Sequence, residues 1–262
     1  MKIDFLGCSG GVDGGHACST CYRINDTLLV DCGTGAANMT MAEMERIEHV
    51  LLTHAHLDHI ACLPLMIDTI AGHRPEPTLA WGLPGVIKII KDHVLNDLVW
   101  PDFTVIPTPK NPFLVLKTLP EEPLNVEGLQ VHVLEAAHGI PACGYLFRKG
   151  EVSVAFSGDT GPDDAFWNAI KDIPDLHAVA IECSYPNSER ELANISKHMH
   201  VDAVVKHSAC LPEHVALIIV HRKPGREEQI AKELKALIPN RRIELPLSGD
   251  SLTIPLPAIQ SK

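Results

Sequence analysis

Short apolar runs bounded by Gly, Pro, Asn or Asp recur along the whole chain. They are rich in Val and Ile, and they are continuous rather than alternating, which is typical of strands buried on both faces. We therefore predict strands at Ile3–Leu6, Thr27–Val30, Val50–Leu52, Leu129–Leu134, Val152–Ser157, Ala178–Ile181 and Val215–Val220.

Other segments place apolar residues at helical spacing. Between Arg226 and Leu237, for example, Ile230, Leu234 and Leu237 lie on one face among charged side chains, which is the pattern of an amphipathic helix. Helices are predicted at Ala42–Arg46, Leu63–Ile70, Val86–Asp97, Asp163–Lys171, Ser188–Ser196 and Arg226–Leu237.

Together these elements predict an α/β protein. Strands occur in both halves of the chain with helices between and after them, which favours two packed mixed sheets flanked by helices. The length of 262 residues favours one domain over residues 1–262. The proline-rich segment Gly72–Pro123 is interpreted as an insertion of loops and short elements.

Composition and charge narrow the classes of partner. Hydrophobic residues make up 45% of the chain and charged residues 21%, as in an ordinary globular protein. The net charge of -11 argues against a protein that holds long nucleic acids. A small anionic substrate is still compatible with this charge, because bound metal ions dominate the local field. The 8 cysteines are scattered, so we expect reduced thiols rather than a disulfide framework.

The sequence shows no sign of a membrane partner. Its longest aliphatic runs, such as Val215–Val220, are far shorter than the roughly 18–20 residues of a membrane span. The N-terminal segment reads as a first strand running into a glycine turn rather than as a signal peptide. We therefore expect a cytoplasmic protein.

One short segment crowds together three histidines and an aspartate: His54, His56, Asp58 and His59. The segment follows a predicted strand and precedes a predicted helix. Imidazole nitrogen and carboxylate oxygen are ligands of zinc, and a catalytic zinc site leaves one position for water. The alternative is a solvated histidine cluster, but the flanking strand and helix favour a metal site.

Two metal ions would need further ligands from elsewhere in the chain. His138, Asp159 and His221 each lie at or just beyond the end of a strand-like run, where a shared cleft can form. Each of them alone is a weak signal. Their occurrence in this order after the histidine cluster indicates a metal centre.

These motifs resemble those of the metallo-β-lactamase-fold hydrolases, whose hallmark is H-x-H-x-D-H followed by single His, Asp and His ligands. Within that superfamily the chain is similar to the class II cyclic nucleotide phosphodiesterases. The resemblance extends from Leu6 to about Leu237, with departures at Cys62 and in the "HMH" at residues 198–200. It is carried by "HAHLDHI", "NDLVWPDFT", "FSGDTGP", "IECSYPN", "LANISKHM" and "VHRKPG".

The resemblance implies an αββα sandwich with two divalent metal ions, Zn²⁺ in the first place and Mn²⁺ or Fe²⁺ as alternatives. One ion would be bound by His54, His56 and His138, and the other by Asp58, His59 and His221. Asp159 would bridge them.

The implied reaction is hydrolysis of 3',5'-cyclic AMP or GMP to the 5'-monophosphate by a hydroxide shared between the ions. The resemblance gives catalytic roles to Asp58, which orients the hydroxide, and to His198, which protonates the leaving oxygen or clamps the phosphate. Thr20 and Cys21 are candidate substrate contacts, and a homodimer is expected.

Three alternatives remain open at this stage. A tRNase Z-like RNA 3'-processing nuclease would need a basic RNA surface, which the net charge disfavours. A thioester or lactam hydrolase is compatible with the same metal ligands. A zinc-containing nucleotide-binding module would bind a cyclic nucleotide without turnover.

Overall fold

The structure is a computed structural model that describes residues 1–14 and 17–256. Its strands are β1 (Lys2–Gly7), β2 (Cys21–Ile24), β3 (Leu28–Val30), β4 (His49–Leu51), β5 (Thr78–Gly82), β6 (Pro107–Thr108), β7 (Asn111–Pro112), β8 (Leu114–Thr118), β9 (Leu124–Val126), β10 (Leu129–Glu135), β11 (Cys143–Lys149), β12 (Val152–Phe156), β13 (Leu176–Glu182), β14 (Ala216–Val220), β15 (Ile243–Glu244) and β16 (Ser251–Thr253).

Its helices lie between these strands, together with 3₁₀ turns at Thr34–Asn38 and Asn187–Glu189. The helices are α1 (Met41–Met44), α2 (Leu57–Ile60), α3 (Leu63–Ile70), α4 (Pro84–His93), α5 (Asp164–Ile170), α6 (Arg190–Ser196), α7 (Val201–Ser208) and α8 (Glu227–Leu237).

Two mixed sheets form the centre of the fold. Over the described residues, one sheet has the order β16-β1-β2-β3-β4-β5-β8 and the other has the order β15-β14-β13-β12-β11-β10-β9. In each sheet the first strands of a meander pair antiparallel, and the later strands pair parallel through helical crossovers. This arrangement confirms the predicted two-sheet α/β architecture.

The apolar runs are continuous because both faces of the strands are buried. In β3, Leu28 and Val30 join the core between the two sheets, whereas Leu29 joins the core between the first sheet and its helices. A third apolar core lies between the second sheet and its helices, and includes Phe166, Val204 and Leu234. Side chains that alternate across a strand therefore supply both layers.

The interpretation of Gly72–Pro123 as an insertion was wrong. This segment contributes β5 and β8, which extend the first sheet in parallel from β4. Prolines flank these strands rather than occupying them, since Pro77 precedes β5 and Phe113 separates Pro112 from β8. Proline at a strand end removes no ladder hydrogen bond.

The helix predicted at Val86–Asp97 also has different bounds. It begins at Pro84, because proline is suited to the first turn of a helix. It ends at His93, and Asp97 adopts a positive φ of 61° that no helix interior accepts.

The part of the chain that the structure describes contains no helix with the length and hydropathy of a membrane span.

Candidate metal centre

The candidate site lies where strands from both sheets end. In the first sheet, Asp31 follows β3 and Thr53 lies just beyond β4, and in the second sheet Asp159 lies beyond β12. Glu182 ends β13 and His221 follows β14. Because β3 and β4 run parallel, and β12, β13 and β14 also run parallel, the carboxyl ends of each set meet at one edge. Polar groups placed after these strands therefore converge.

His54, His56 and His138 form the first group. The Nδ1 atom of His56 lies 3.0 Å from Nε2 of His54 and 3.1 Å from Nε2 of His138. His54 is fully buried, His138 is half-buried and His56 is exposed. The group therefore opens to solvent on the side of His56.

Asp58, His59 and His221 form the second group. The Nε2 atom of His221 lies 3.3 Å from Nε2 of His59 and 3.4 Å from Oδ2 of Asp58. His59 and His221 are buried, whereas the Asp58 side chain keeps 31% of its surface exposed. Asp58 is thus the member of this group that solvent or a substrate can reach.

The Asp159 carboxylate lies between the two groups. Its Oδ2 atom is 3.7 Å from Nε2 of His54 and 3.4 Å from Nε2 of His59, and its Oδ1 atom is 3.4 Å from Nε2 of His221. The structure therefore brings all seven predicted ligands together.

Hydrogen bonds to the Nδ1 atoms fix which nitrogen of each ring faces the cluster. The Lys197 carbonyl can only accept, so Nδ1 of His138 carries the proton at 3.1 Å. The Thr53 hydroxyl donates to Asp31 at 2.7 Å and so accepts from Nδ1 of His54 at 3.0 Å. Two unprotonated Nε2 atoms then face Nδ1 of His56, and that atom holds one proton at most.

The donor set fits divalent ions such as zinc. Ligands bound at about 2.0–2.1 Å in a tetrahedral site lie about 3.3 Å apart, and the separations given within the two groups are 3.0–3.4 Å, with 3.9 Å between Asp58 and His59. Converging nitrogen lone pairs beside carboxylates repel one another unless a cation lies between them. The residues present therefore fit a metal centre.

The electrostatics of the buried residues agree with this fit. Burial lowers the pKa of His54 well below its usual value, and the neighbouring His59 lowers it further. At His59 burial also acts against the charged form, but the carboxylates of Asp159 and Asp31 outweigh it and hold the pKa well above normal. The charge that keeps a proton on His59 also favours a metal cation at the same point.

His198 lies beside the candidate metal ligands and is held by Glu182, a carboxylate that was not predicted from the sequence. Its Nδ1 atom is 2.8 Å from Oε1 of Glu182, and its ring stacks on His221 with centroids 5.3 Å apart. Burial lowers the pKa of His198, but the charge of Glu182 and its hydrogen bond outweigh burial and raise it. The signal was available in "IECSYPN", where an acidic residue ends an apolar strand.

The two predicted substrate contacts are not at the opening of the site. Cys21 has no exposed surface and packs in the core beside Leu29 and Cys32, so the structure does not support a substrate-binding role for it. Thr20 is 2% exposed and lines a small internal cavity of about 10 Å³ together with the candidate ligands His59, Asp159 and His221. Cys21 begins β2 and Thr20 directly precedes that strand, and both side chains are buried.

Sequence comparison places the chain in a family. A family model described as "Beta-lactamase superfamily domain" matches residues 26–221, which contain all seven candidate ligands. The chain belongs to the beta-lactamase superfamily. Its fold is the metallo-β-lactamase fold. It superimposes on the crystal structure of unliganded yeast PDE1 with a TM-score of 0.81 and 20% identity, and the match covers 95% of this chain and 98% of the PDE1 chain.

Two curated relatives differ in their stated activities. The chain is 31% identical over 177 residues to 3',5'-cyclic-nucleotide phosphodiesterase 1 of Saccharomyces cerevisiae, covering 58% of this chain and 47% of the relative. It is 29% identical over 182 residues to Ribonuclease Z of Clostridium beijerinckii, covering 65% of this chain and 58% of the relative. The chain thus matches about half the length of these curated relatives.

Proposed function

We propose that this protein is a two-metal hydrolase that opens 3',5'-cyclic AMP or GMP at the 3' phosphoester bond and releases the 5'-monophosphate. One observation carries the proposal: seven ligands converge at the open edge of the sheets, with the Glu182–His198 pair beside them. The 31% identity to the yeast 3',5'-cyclic-nucleotide phosphodiesterase supports the choice of substrate.

In this proposal His54, His56 and His138 would hold one ion, Asp58, His59 and His221 would hold the other, and Asp159 would serve both. Zn²⁺ is the first choice, with Mn²⁺ or Fe²⁺ as alternatives. When bound, such ions lower the pKa of water and neutralise charge on phosphoryl oxygens.

Asp58 and His198 are the residues proposed to handle protons. The partly exposed carboxylate of Asp58 is free to accept a hydrogen bond from the attacking water and to orient it. Because Nδ1 of His198 is engaged by Glu182, Nε2 is the atom that can donate a proton. Water attacks phosphorus and loses one proton through the Asp58 carboxylate to solvent, the bond from phosphorus to O3' breaks, and the proton on Nε2 of His198 goes to the leaving oxygen.

A ribonuclease is the second candidate, and the 29% identity to the Clostridium Ribonuclease Z favours it. An RNA substrate requires a surface that neutralises many phosphates. The chain has 22 basic against 33 acidic residues, so the charge favours a small substrate.

The proposal is tested by product analysis with purified protein. Cyclic AMP, cyclic GMP, bis(4-nitrophenyl) phosphate, a precursor tRNA and a thioester are each incubated with enzyme before and after chelation. We expect 5'-monophosphates from the cyclic nucleotides, loss of activity on chelation and recovery on metal addition. Cleavage of only the precursor tRNA or only the thioester would overturn the proposed choice of substrate. Tight binding of a cyclic nucleotide by metal-loaded protein without turnover would overturn the proposal that the protein is an enzyme.

A further inference from the structure

We propose that Ser184 is a positioning residue for His221, and that its hydroxyl selects the tautomer in which Nε2 of His221 faces the candidate metal centre. This inference rests on the two-metal site of the proposed function. It concerns a residue that is not itself a candidate ligand and that acts through His221.

The Ser184 hydroxyl has three hydrogen-bonding neighbours. Its Oγ atom lies 2.8 Å from Oε2 of Glu182, 3.1 Å from Nδ1 of His221 and 3.1 Å from the carbonyl oxygen of His221. Ser184 has no exposed surface, so water does not replace any of these partners.

Counting protons leaves one assignment for the His221 ring. An ionised carboxylate can only accept, and Oε2 of Glu182 is the nearest neighbour of Oγ, at 2.8 Å, so the single Ser184 proton goes to Glu182. The Oγ atom has lone pairs left and accepts from His221. Nδ1 of His221 therefore carries a ring proton, and in the neutral ring Nε2 is unprotonated.

That unprotonated Nε2 atom is the one that faces the other ligands. It lies 3.4 Å from Oδ2 of Asp58 and 3.4 Å from Oδ1 of Asp159. Without the hydroxyl, the proton is free to move to Nε2, where it competes directly with a metal ion. Partners of this kind that fix a ligand histidine typically change metal affinity by about 10–100-fold when they are removed.

The backbone around His221 restricts the ring but does not choose its tautomer. His221 adopts a φ of 55°, and its N–H donates to the Cys8 carbonyl at 2.7 Å. A Cβ atom added at Gly10 would lie 2.9 Å from Nδ1 of His221, so the ring packs against bare backbone there. The choice between the two ring nitrogens is left to Ser184.

The other sheet has the same arrangement, in which a hydroxyl lies between a buried carboxylate and Nδ1 of a histidine. Thr53 Oγ1 donates to Oδ2 of Asp31 at 2.7 Å and accepts from Nδ1 of His54 at 3.0 Å. Asp31 also binds His59 directly at 2.7 Å, just as Glu182 binds His198 directly. Each sheet thus supplies one buried carboxylate that holds one imidazole itself and a second through a hydroxyl, which supports a positioning role for Ser184.

The tautomer is measured directly in metal-free protein by long-range ¹H–¹⁵N correlation of the histidine rings. The His221 signals are assigned by their loss in His221→Gln. We expect the Nδ1–H tautomer in the wild type and in Ser184→Thr, which keeps the hydroxyl, and a shift toward Nε2–H in Ser184→Ala. An unchanged His221 tautomer in a folded Ser184→Ala variant would overturn the inference.

Zinc titration against a chromophoric chelator gives the second readout. Ser184→Ala should weaken one of two zinc equivalents by about 10–100-fold, and Ser184→Thr should restore it. Ser208→Ala is the matched control, since Ser208 is equally buried but its hydroxyl faces the Val205 carbonyl within α7. Equal zinc affinities in Ser184→Ala and the wild type contradict the inference, whereas a wild type that binds fewer than two ions contradicts the proposed two-metal site and leaves the tautomer result to decide Ser184.

Discussion

The Tyr145 hydroxyl donates a 2.7 Å hydrogen bond to the carbonyl oxygen of Leu52 and thereby joins the two sheets beside the candidate metal centre. Tyr145 lies in β11 of the second sheet, and Leu52 follows β4 of the first. Both residues are fully buried. Because His54 comes two residues after Leu52, this bond helps to fix the start of the histidine segment relative to the opposite sheet.

Tyr145→Phe should lower the free energy of unfolding by about 1–3 kcal/mol, because the Leu52 carbonyl would stay buried without this donor. The Cys143 thiol at 3.9 Å is too weak a donor to replace it. Urea unfolding in the presence of a chelator measures the change without a contribution from metal binding. An unchanged free energy would mean that the carbonyl finds another partner.

Asp159→Ala should reduce the bound metal to less than one ion per chain and abolish nearly all hydrolysis. Its oxygens lie within 4 Å of histidine nitrogens from both groups. It sits in the turn after β12, so its removal spares the apolar cores. Metal content after dialysis and far-UV circular dichroism report the two effects separately.

Asp172→Ala is the matched control for this variant, because Asp172 is an exposed aspartate outside the site. It should keep the metal content and the activity of the wild type. Two tightly bound ions in Asp159→Ala would refute the position of this carboxylate between the groups.

Much of the fold was predictable because buried strands appear in the sequence as apolar runs. The strand β2 does not stand out as an apolar run, since it contains Arg23, and a charged residue is typical of the surface. In the structure Arg23 is 8% exposed and its Nε and Nη2 atoms donate to Asp4 on the adjacent β1. Such a pair forms only once the strands are in register, so neither residue signals it alone.

The candidate ligands could be predicted from the sequence, whereas their supporting partners could not. Histidines crowded at a strand end are rare enough to indicate metal chemistry without a structure. Glu182 and His198 are 16 residues apart in sequence, and only the ends of β13 and of α6 bring them together. Cys21 was wrongly predicted to contact the substrate, because the sequence alone does not show that its side chain is buried.

His198→Ala should keep both metal ions and slow the turnover of cyclic AMP by about 10²–10⁴-fold, the usual contribution of a general acid. The turnover of bis(4-nitrophenyl) phosphate should fall much less, since its nitrophenolate leaves without a proton. The measurement is kcat for both substrates at matched metal loading. Equal losses on the two substrates would rule out leaving-group protonation by His198.

The control for this variant is His200→Ala. His200 is as buried as His198, but its Nδ1 atom faces the Asn187 side chain at 3.3 Å rather than the metal ligands. It should retain the kcat of the wild type on both substrates, which would separate the role of His198 from a general effect of removing a buried histidine.

The charge of the Glu43 carboxylate should contribute to the free energy of unfolding, and this contribution should be lost in acid. The backbone N–H of Thr40 and the Arg23 guanidinium together lower the pKa of Glu43 to about 2, against about 4.3 in an unfolded chain. A carboxylate with a lowered pKa stabilises the fold above about pH 4.3, and this contribution is lost as the pH falls through about 2.

Glu43→Gln should therefore lower the free energy of unfolding at pH 7 by about 1 kcal/mol, a value reduced because the side chain is 28% exposed and partly screened. The difference from the wild type should shrink as the pH falls from 4 to 2, since Glu43 itself becomes neutral. Urea unfolding of chelated protein at pH 7, 4 and 2 measures this, with the exposed Glu48→Gln as control. A difference that stays constant over this pH range would mean that the charge of Glu43 does not stabilise the fold.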